Sequence, residues 1–352
     1  MWERTRPRLC GLSRRYPNYQ GAPRGRYPAV FEMIWTLQYL RALAAVLVVV
    51  AHSVPDASSG LVHRGNFGVD IFFVISGFIM WSISGPKGRE HTPWEFAKRR
   101  IARIVPLYWL ATGLTIICLY AAPAVAYVAA WPRLSDILLS ATFIPHPDAH
   151  GRIIPVLSQG WTIDLEMAFY AVMTLALCAR WRLPVIAVGL AVIAALWNPV
   201  ALEFGAGVVI AASGWRPGRT ASFIFIFAAM VTVGADLSLP RVLAWGPAAA
   251  ALVLGALGLE DSAPRWQIAR RLGDASFTLY LFHEFVTTPV KEHLPLALAP
   301  VVSVVGAGCL ALALHPIERW TRNAALRLLS GGRPITEPTD ATPTPLATAK
   351  PL

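Results

Sequence analysis

Ten apolar segments recur along the chain, most of them close to the ~20 residues an α-helix needs to cross the hydrocarbon of a bilayer, and they leave little room for another kind of fold. They read as roughly 36–53, 67–84, 104–128, 161–180, 183–198, 200–213, 220–235, 241–258, 274–290 and 297–314. None alternates apolar and polar residues like a barrel strand, so hydrogen bonding within helices is the way left to satisfy the backbone in lipid. Charged residues make up 14% of the chain, against about 25% in a soluble globular domain. The expected fold is all-α: a polytopic transmembrane helical bundle of about ten spans. Several segments are short, so tilt, or a partly re-entrant path near 200–213, is expected. The stretch 134–145 is too short to span and belongs at the interface.

A net charge of +11 would suit a nucleic-acid partner, but the positions of the charges argue for a membrane. Arg41 lies inside a span, and Arg64, Arg133, Arg152, Arg241 and Lys291 fall in the outer loops when the N-terminus is put in the cytoplasm. The remaining 25 of 31 Lys and Arg are then cytoplasmic. That asymmetry predicts both termini inside and no nucleic-acid role. Residues 1–32, with seven arginines and no apolar run, read as a basic disordered arm, and Met33 directly before the first span is an alternative start. Residues 33–320 read as one membrane domain. Residues 321–352 read as a cytoplasmic tail, Pro- and Thr-rich and disordered. The four cysteines have neither metal nor redox spacing, and no metal is expected.

Ionisable residues inside spans are costly and mark function. Arg41 and His52 lie eleven residues apart on the first span, hence on one helix face and separated by about 16 Å of rise. Asp70 opens the second span at a depth like that of His52, where it either caps the helix or orients the imidazole. Gly77 and Ser76 suit close helix packing. Before the third span, Arg100 and Arg103 at i and i+3 share a helix face and suit phosphates, whereas Lys98 and Arg99 read as headgroup contacts. Glu166 lies too deep in the fourth span to face lipid and is expected to point inward, toward His52. Asp164 is shallower and expected to be wet. His283, mid-span, reads first as a packing or hydrogen-bonding residue, and Glu318 as a partner for the inner arginines. The HxxxD spacing of His52 and Asp56 is discounted because Pro55 interrupts it. His146, Asp148 and His150 are a weak metal set.

Five stretches, in order and with the right gaps, resemble acyltransferase family 3, the integral-membrane O-acyltransferases. They are Arg41 to His52, Gly68 to Gly77, Arg100-x-x-Arg103 with Pro106 and Tyr108-Trp109, Trp161 to Tyr170, and Ser276 to His283. The opening Gln38-Tyr39-Leu40-Arg41 is most similar to the exopolysaccharide-producing branch. The resemblance covers about residues 36–320. It implies acyl-CoA, in the first instance acetyl-CoA, as donor and a carbohydrate acceptor, lipid-linked or not, in a bacterial inner membrane. It also implies that Arg41, His52, Arg100 and Arg103 are essential. Acyl transfer to an alcohol needs a base and an oxyanion site. His52 is the expected base, helped by Asp70 or Glu166, with Arg41, Arg100 and Arg103 holding the CoA phosphates. An acyl-histidine is a variant. The competing readings are O-acylation of a macrolide or other small molecule, and a transporter without acyl chemistry.

Overall fold

The computed structural model describes residues 34–54, 60, 64–84, 92–121, 131–148, 150–235, 237 and 239–331. The expectations for 1–32, the Met33 start, Pro55, Asp56 and the segment 332–352 fall outside the described residues. Among the described residues the regular structure is all helical, and the nearest approach to a sheet is one antiparallel bridge between Pro147 and Ile153.

The helices are α1 (Trp35–His52), α2 (Phe67–Ser84), α3 (Pro93–Ala121), α4 (Leu134–Ala141), α5 (Gly160–Cys178), α6 (Arg182–Leu196) and α7 (Leu202–Ser213). They continue with α8 (Arg219–Gly234), α9 (Arg241–Gly258), α10 (Gln267–Asp274), α11 (Ser276–Phe282), α12 (Glu284–His293) and α13 (Ala299–Leu329). Among the described residues, six candidate spans are long and apolar enough to cross a membrane: α1, α2 with the turn before it, α3, α5, α9 and α13. α6, α7 and α8 are apolar but shorter.

Three boundaries differ from the sequence reading. The expected segment 104–128 is the second part of a helix that begins at Pro93, so the basic stretch Lys98–Arg103 is helical. The expected span 274–290 is three short helices with joints at Ala275 and His283. The last helix runs past 320 to Leu329, because Ala324, Ala325, Leu326, Arg327 and Leu328 are strong helix formers. Gly331, at φ +61°, follows its end.

α2 has no exposed residue: most of it is buried, and Phe72, Ser76, Ile79 and Ile83, on one face, are half-buried, as suits a helix apolar all round. It packs against α1, α5, α7 and α9. Backbones touch where it meets α7. A Cβ on Gly77 would stand 2.0 Å from the Phe204 carbonyl oxygen, and one on Gly207 2.0 Å from that of Val74. Both distances are impossible for a side chain, so these glycines set the helix separation. Ser76 has a different task from the packing expected of it: its hydroxyl donates to Glu166 at 2.7 Å. Phe73, Phe204 and Phe169 stack in series at 4.6 and 4.4 Å, joining α2, α7 and α5.

Many large apolar side chains lie on the outer surface. On α8, Phe223, Phe227 and Met230 share one face and are 58%, 69% and 67% exposed. Such a face suits lipid and would be a liability in water.

Candidate active site

The inward face of α1 carries two unlike groups. Arg41 lines a cavity of about 70 Å³ together with Ser76 of α2, Arg103 of α3, Thr162 and Glu166 of α5, and Tyr280 of α11. That is room for a few water molecules. The Arg41 guanidinium donates to Gln38 at 3.3 Å. Glu166 accepts from Ser76 at 2.7 Å and from Tyr170 at 2.5 Å. Two guanidinium groups and one carboxylate line the cavity, with the carboxylates of Asp274 and Glu318 also within Coulombic reach of Arg41; the paired guanidinium groups suit an anion.

Arg100 does not join them. Its guanidinium lies over the rings of Phe96 and Tyr170, at 5.7 and 5.9 Å from their centroids. Positions i and i+3 differ by about 60° around a helix, and the aromatic faces hold the cation on the far side of that angle.

His52, the last residue of α1, has Nδ1 2.9 Å from the Val48 carbonyl oxygen. A carbonyl only accepts, so Nδ1 carries a proton, and in the neutral ring Nε2 keeps its lone pair. The His52 ring meets that of His283 edge-on, with centroids 5.0 Å apart. His283 sits at the joint between α11 and α12 and is wholly buried. Its Nδ1 is 2.7 Å from the Tyr280 carbonyl oxygen, so it too presents an Nε2 lone pair, and that nitrogen has no partner. The neighbouring Glu284 accepts from Ser158 at 2.8 Å. One atom each of His52, His283 and Glu284 lie within 4.8 Å of one another. Tyr280 links the two halves. It lines the arginine cavity, and its ring is 5.9 Å from that of His283. Its hydroxyl lies 2.7 Å from Thr162 Oγ1 and donates to the Gln159 carbonyl at 3.1 Å.

Several side chains take partners other than those expected. Neither Asp70 nor Glu166 is the companion of the His52 ring; that place is held by His283. Both oxygens of Asp70 are engaged by Arg241, at 3.1 and 2.6 Å, because α9 packs directly on α2. Asp164 is buried rather than wet, with one carboxylate oxygen unpartnered. Glu318 accepts from Thr278 and from His315 rather than from the inner arginines. Asp148 pairs with Arg152 at 2.8 Å, and His146 Nδ1 is 2.9 Å from the Ile144 carbonyl oxygen.

Sequence reasoning underweighted His283 and left Glu284 out. The signal was present: two ionisable residues in succession after the apolar run Leu279-Tyr280-Leu281-Phe282.

The acyltransferase 3 family, described as an acyltransferase domain, matches residues 34–315. The chain belongs to this family. As a member of acyltransferase family 3 it is an enzyme that transfers acyl groups other than aminoacyl groups. It is 39% identical over 260 residues to the exopolysaccharide production protein ExoZ of Rhizobium meliloti (strain 1021), an alignment covering 65% of this chain and 78% of that one. It is 28% identical over 377 residues to the acyltransferase MdmB of Streptomyces mycarofaciens, covering 87% of this chain and 95% of the other. Protein 2 in the picA locus of Rhizobium radiobacter is 32% identical over 170 residues, which is 43% of this chain and 83% of that protein. No solved structure matches the chain. The matched region contains both the arginine cavity and the histidine pair of this family 3 acyltransferase.

Proposed function

We propose that this acyltransferase moves an acyl group, acetyl in the first instance, from acyl-CoA to a hydroxyl of an exopolysaccharide or its lipid-linked precursor. The observation that carries the reading is the joining of two unlike halves through Tyr280. One is a cavity lined by the guanidinium groups of Arg41 and Arg103; the other is the His52 imidazole with an available Nε2 lone pair. A separation of about 16 Å along α1 suits a donor whose phosphates and thioester lie at opposite ends of a long arm. The carbohydrate acceptor rests on the relative named for exopolysaccharide production.

In the reaction, His52 Nε2 takes the proton of the acceptor hydroxyl as its oxygen attacks the thioester carbonyl carbon. The carbon–sulfur bond then breaks, and the imidazolium returns the proton to the leaving thiolate, giving ester and free CoA thiol. The donor enters from the cytoplasm, and the chain runs through ten spans of the bacterial inner membrane with both termini inside. The charge asymmetry of the loops supports that path; a loop-by-loop cysteine-labelling map with the opposite sidedness would reverse it. Asp70 is assigned to holding α2 against α9 rather than to proton transfer.

Purified protein given labelled acetyl-CoA and a candidate glycan is expected to label the glycan in a hydroxylamine-sensitive ester. No transfer to any of a panel of bacterial glycans would sink the reading. Arg103→Ala is expected to raise the acyl-CoA KM about 10- to 100-fold, the loss of a charge-assisted hydrogen bond, with a smaller change in kcat. Arg100→Ala should act less on that KM, since its guanidinium lies against rings outside the cavity lining. Equal KM effects of the two variants would count against the cavity as the phosphate seat.

A further inference from the structure

The cluster of His52, His283 and Glu284 has more hydrogen-bond acceptors than donors. Both imidazoles spend their Nδ1 hydrogens on backbone carbonyls, of Val48 and Tyr280. Each therefore offers a bare Nε2, and that of His283 is fully buried and unpartnered. Glu284 adds a carboxylate already served by the Ser158 hydroxyl. Three acceptor groups converge and one hydrogen is supplied from within the protein. A substrate with a single hydroxyl brings one hydrogen to His52 and leaves His283 bare. A substrate with two adjacent hydroxyls brings two, and every group in the cluster is then matched.

We propose that His52, His283 and Glu284 form an acceptor site for a vicinal diol. The hydroxyl to be acylated donates to His52 Nε2, and its neighbour donates to His283 Nε2. Glu284, oriented by Ser158, balances the imidazolium that forms on His52. His52 and Glu284 are half-buried whereas His283 is wholly buried, so the pair of hydroxyls enters over a partly open rim onto a closed floor. The inference rests on the acyl-CoA-to-sugar reading and narrows its acceptor to sugars with a free hydroxyl beside the acylated carbon.

The spacing admits hydroxyls as well as a cation. Zinc holds nitrogen and oxygen ligands at about 2.0–2.2 Å, which places them roughly 3.4 Å apart in a tetrahedral shell. Hydroxyl oxygens reach their acceptors at about 2.7–2.8 Å, so acceptors sharing a diol stand farther apart. Atoms that lie within 4.8 Å of one another leave room for the second arrangement.

The test uses full-length protein in detergent, acetyl-CoA, and a hexose oligosaccharide that the protein acylates. Its partner is the analogue with hydrogen in place of the hydroxyl next to the acylated carbon. The analogue is expected to show an acceptor KM about 10- to 100-fold higher, the effect of leaving a buried acceptor bare, with the acyl-CoA KM unchanged. His283→Ala should raise the KM for the diol by a similar factor and make diol and analogue equivalent. His283→Gln, which restores an acceptor atom, should recover part of the difference. Equal acceptor KM values for diol and analogue with the wild-type protein overturn the proposal, and that comparison needs no variant to fold. Activity lost to a chelator and recovered with zinc overturns it in favour of a cation. If the wild-type protein acylates no glycan, the functional reading fails first and takes the diol site with it.

Discussion

His52→Ala is expected to lower acyl transfer by about 10²- to 10⁴-fold, the contribution of a positioned general base, while the protein stays folded. The two parts of this expectation come from the same geometry. The imidazole is half-buried at the C-terminal end of α1, and its hydrogen bond is to its own helix, at the Val48 carbonyl. Truncation therefore costs about one ordinary hydrogen bond, on the order of 1 kcal/mol. Catalysis loses the Nε2 lone pair, for which His283 is no substitute, because its ring lies deeper and is fixed through Tyr280. Turnover with labelled acetyl-CoA, beside a melting curve in detergent, separates the two effects. Near-normal turnover from a folded variant rejects the base role.

Arg241→Ala is expected to be the costly structural change, destabilising the bundle by about 3 kcal/mol. Asp70 is 0% exposed, and Arg241 binds both of its oxygens. The same guanidinium donates to the Asn66 carbonyl at 3.0 Å and lies over the Trp245 ring at 5.0 Å. Removing it strands a buried carboxylate beside a second buried carboxyl group, that of Glu203. Breaking a buried pair from one side costs about 3–5 kcal/mol; the 32% exposure of Arg241 places this case at the low end. The double variant Asp70→Asn with Arg241→Ala, which removes the stranded charge as well, should regain a good part of the loss. A single variant that melts with the wild type, or a double variant no better than the single, would show that the pair does not hold α2 to α9.

Much of the site was legible because a few residue types are so expensive in lipid. Arg41, His52 and Glu166 stood out as ionisable groups in apolar runs, and all three turn inward. Partner choice was not legible. Asp70 and His52 lie at similar depth on neighbouring helices, which made an Asp–His contact reasonable, yet Arg241 from a distant helix takes both carboxylate oxygens. Arg100 and Arg103 share a helical spacing, yet only Arg103 lines the cavity, while the Arg100 guanidinium lies over the rings of Phe96 and Tyr170. His283 was read as a packing residue because nothing along the sequence shows that its ring meets that of His52.

The chain by itself determined the solvent, the helices and the cost of the polar groups within them, because hydrophobic run length, charge clustering and helix periodicity are local properties. Tertiary structure decided which of those groups meet. Helix α2 is wedged by Gly77 against α7 and by Gly68 against α1, where a Cβ would stand 2.2 Å from the Ala44 carbonyl oxygen. Helix α9 packs on α2 as well, bringing Arg241 to Asp70. The joint at His283 directs that ring toward His52. Each of these depends on how far one helix stands from another, a distance set by atoms hundreds of residues apart in some cases and written nowhere along the line of the sequence.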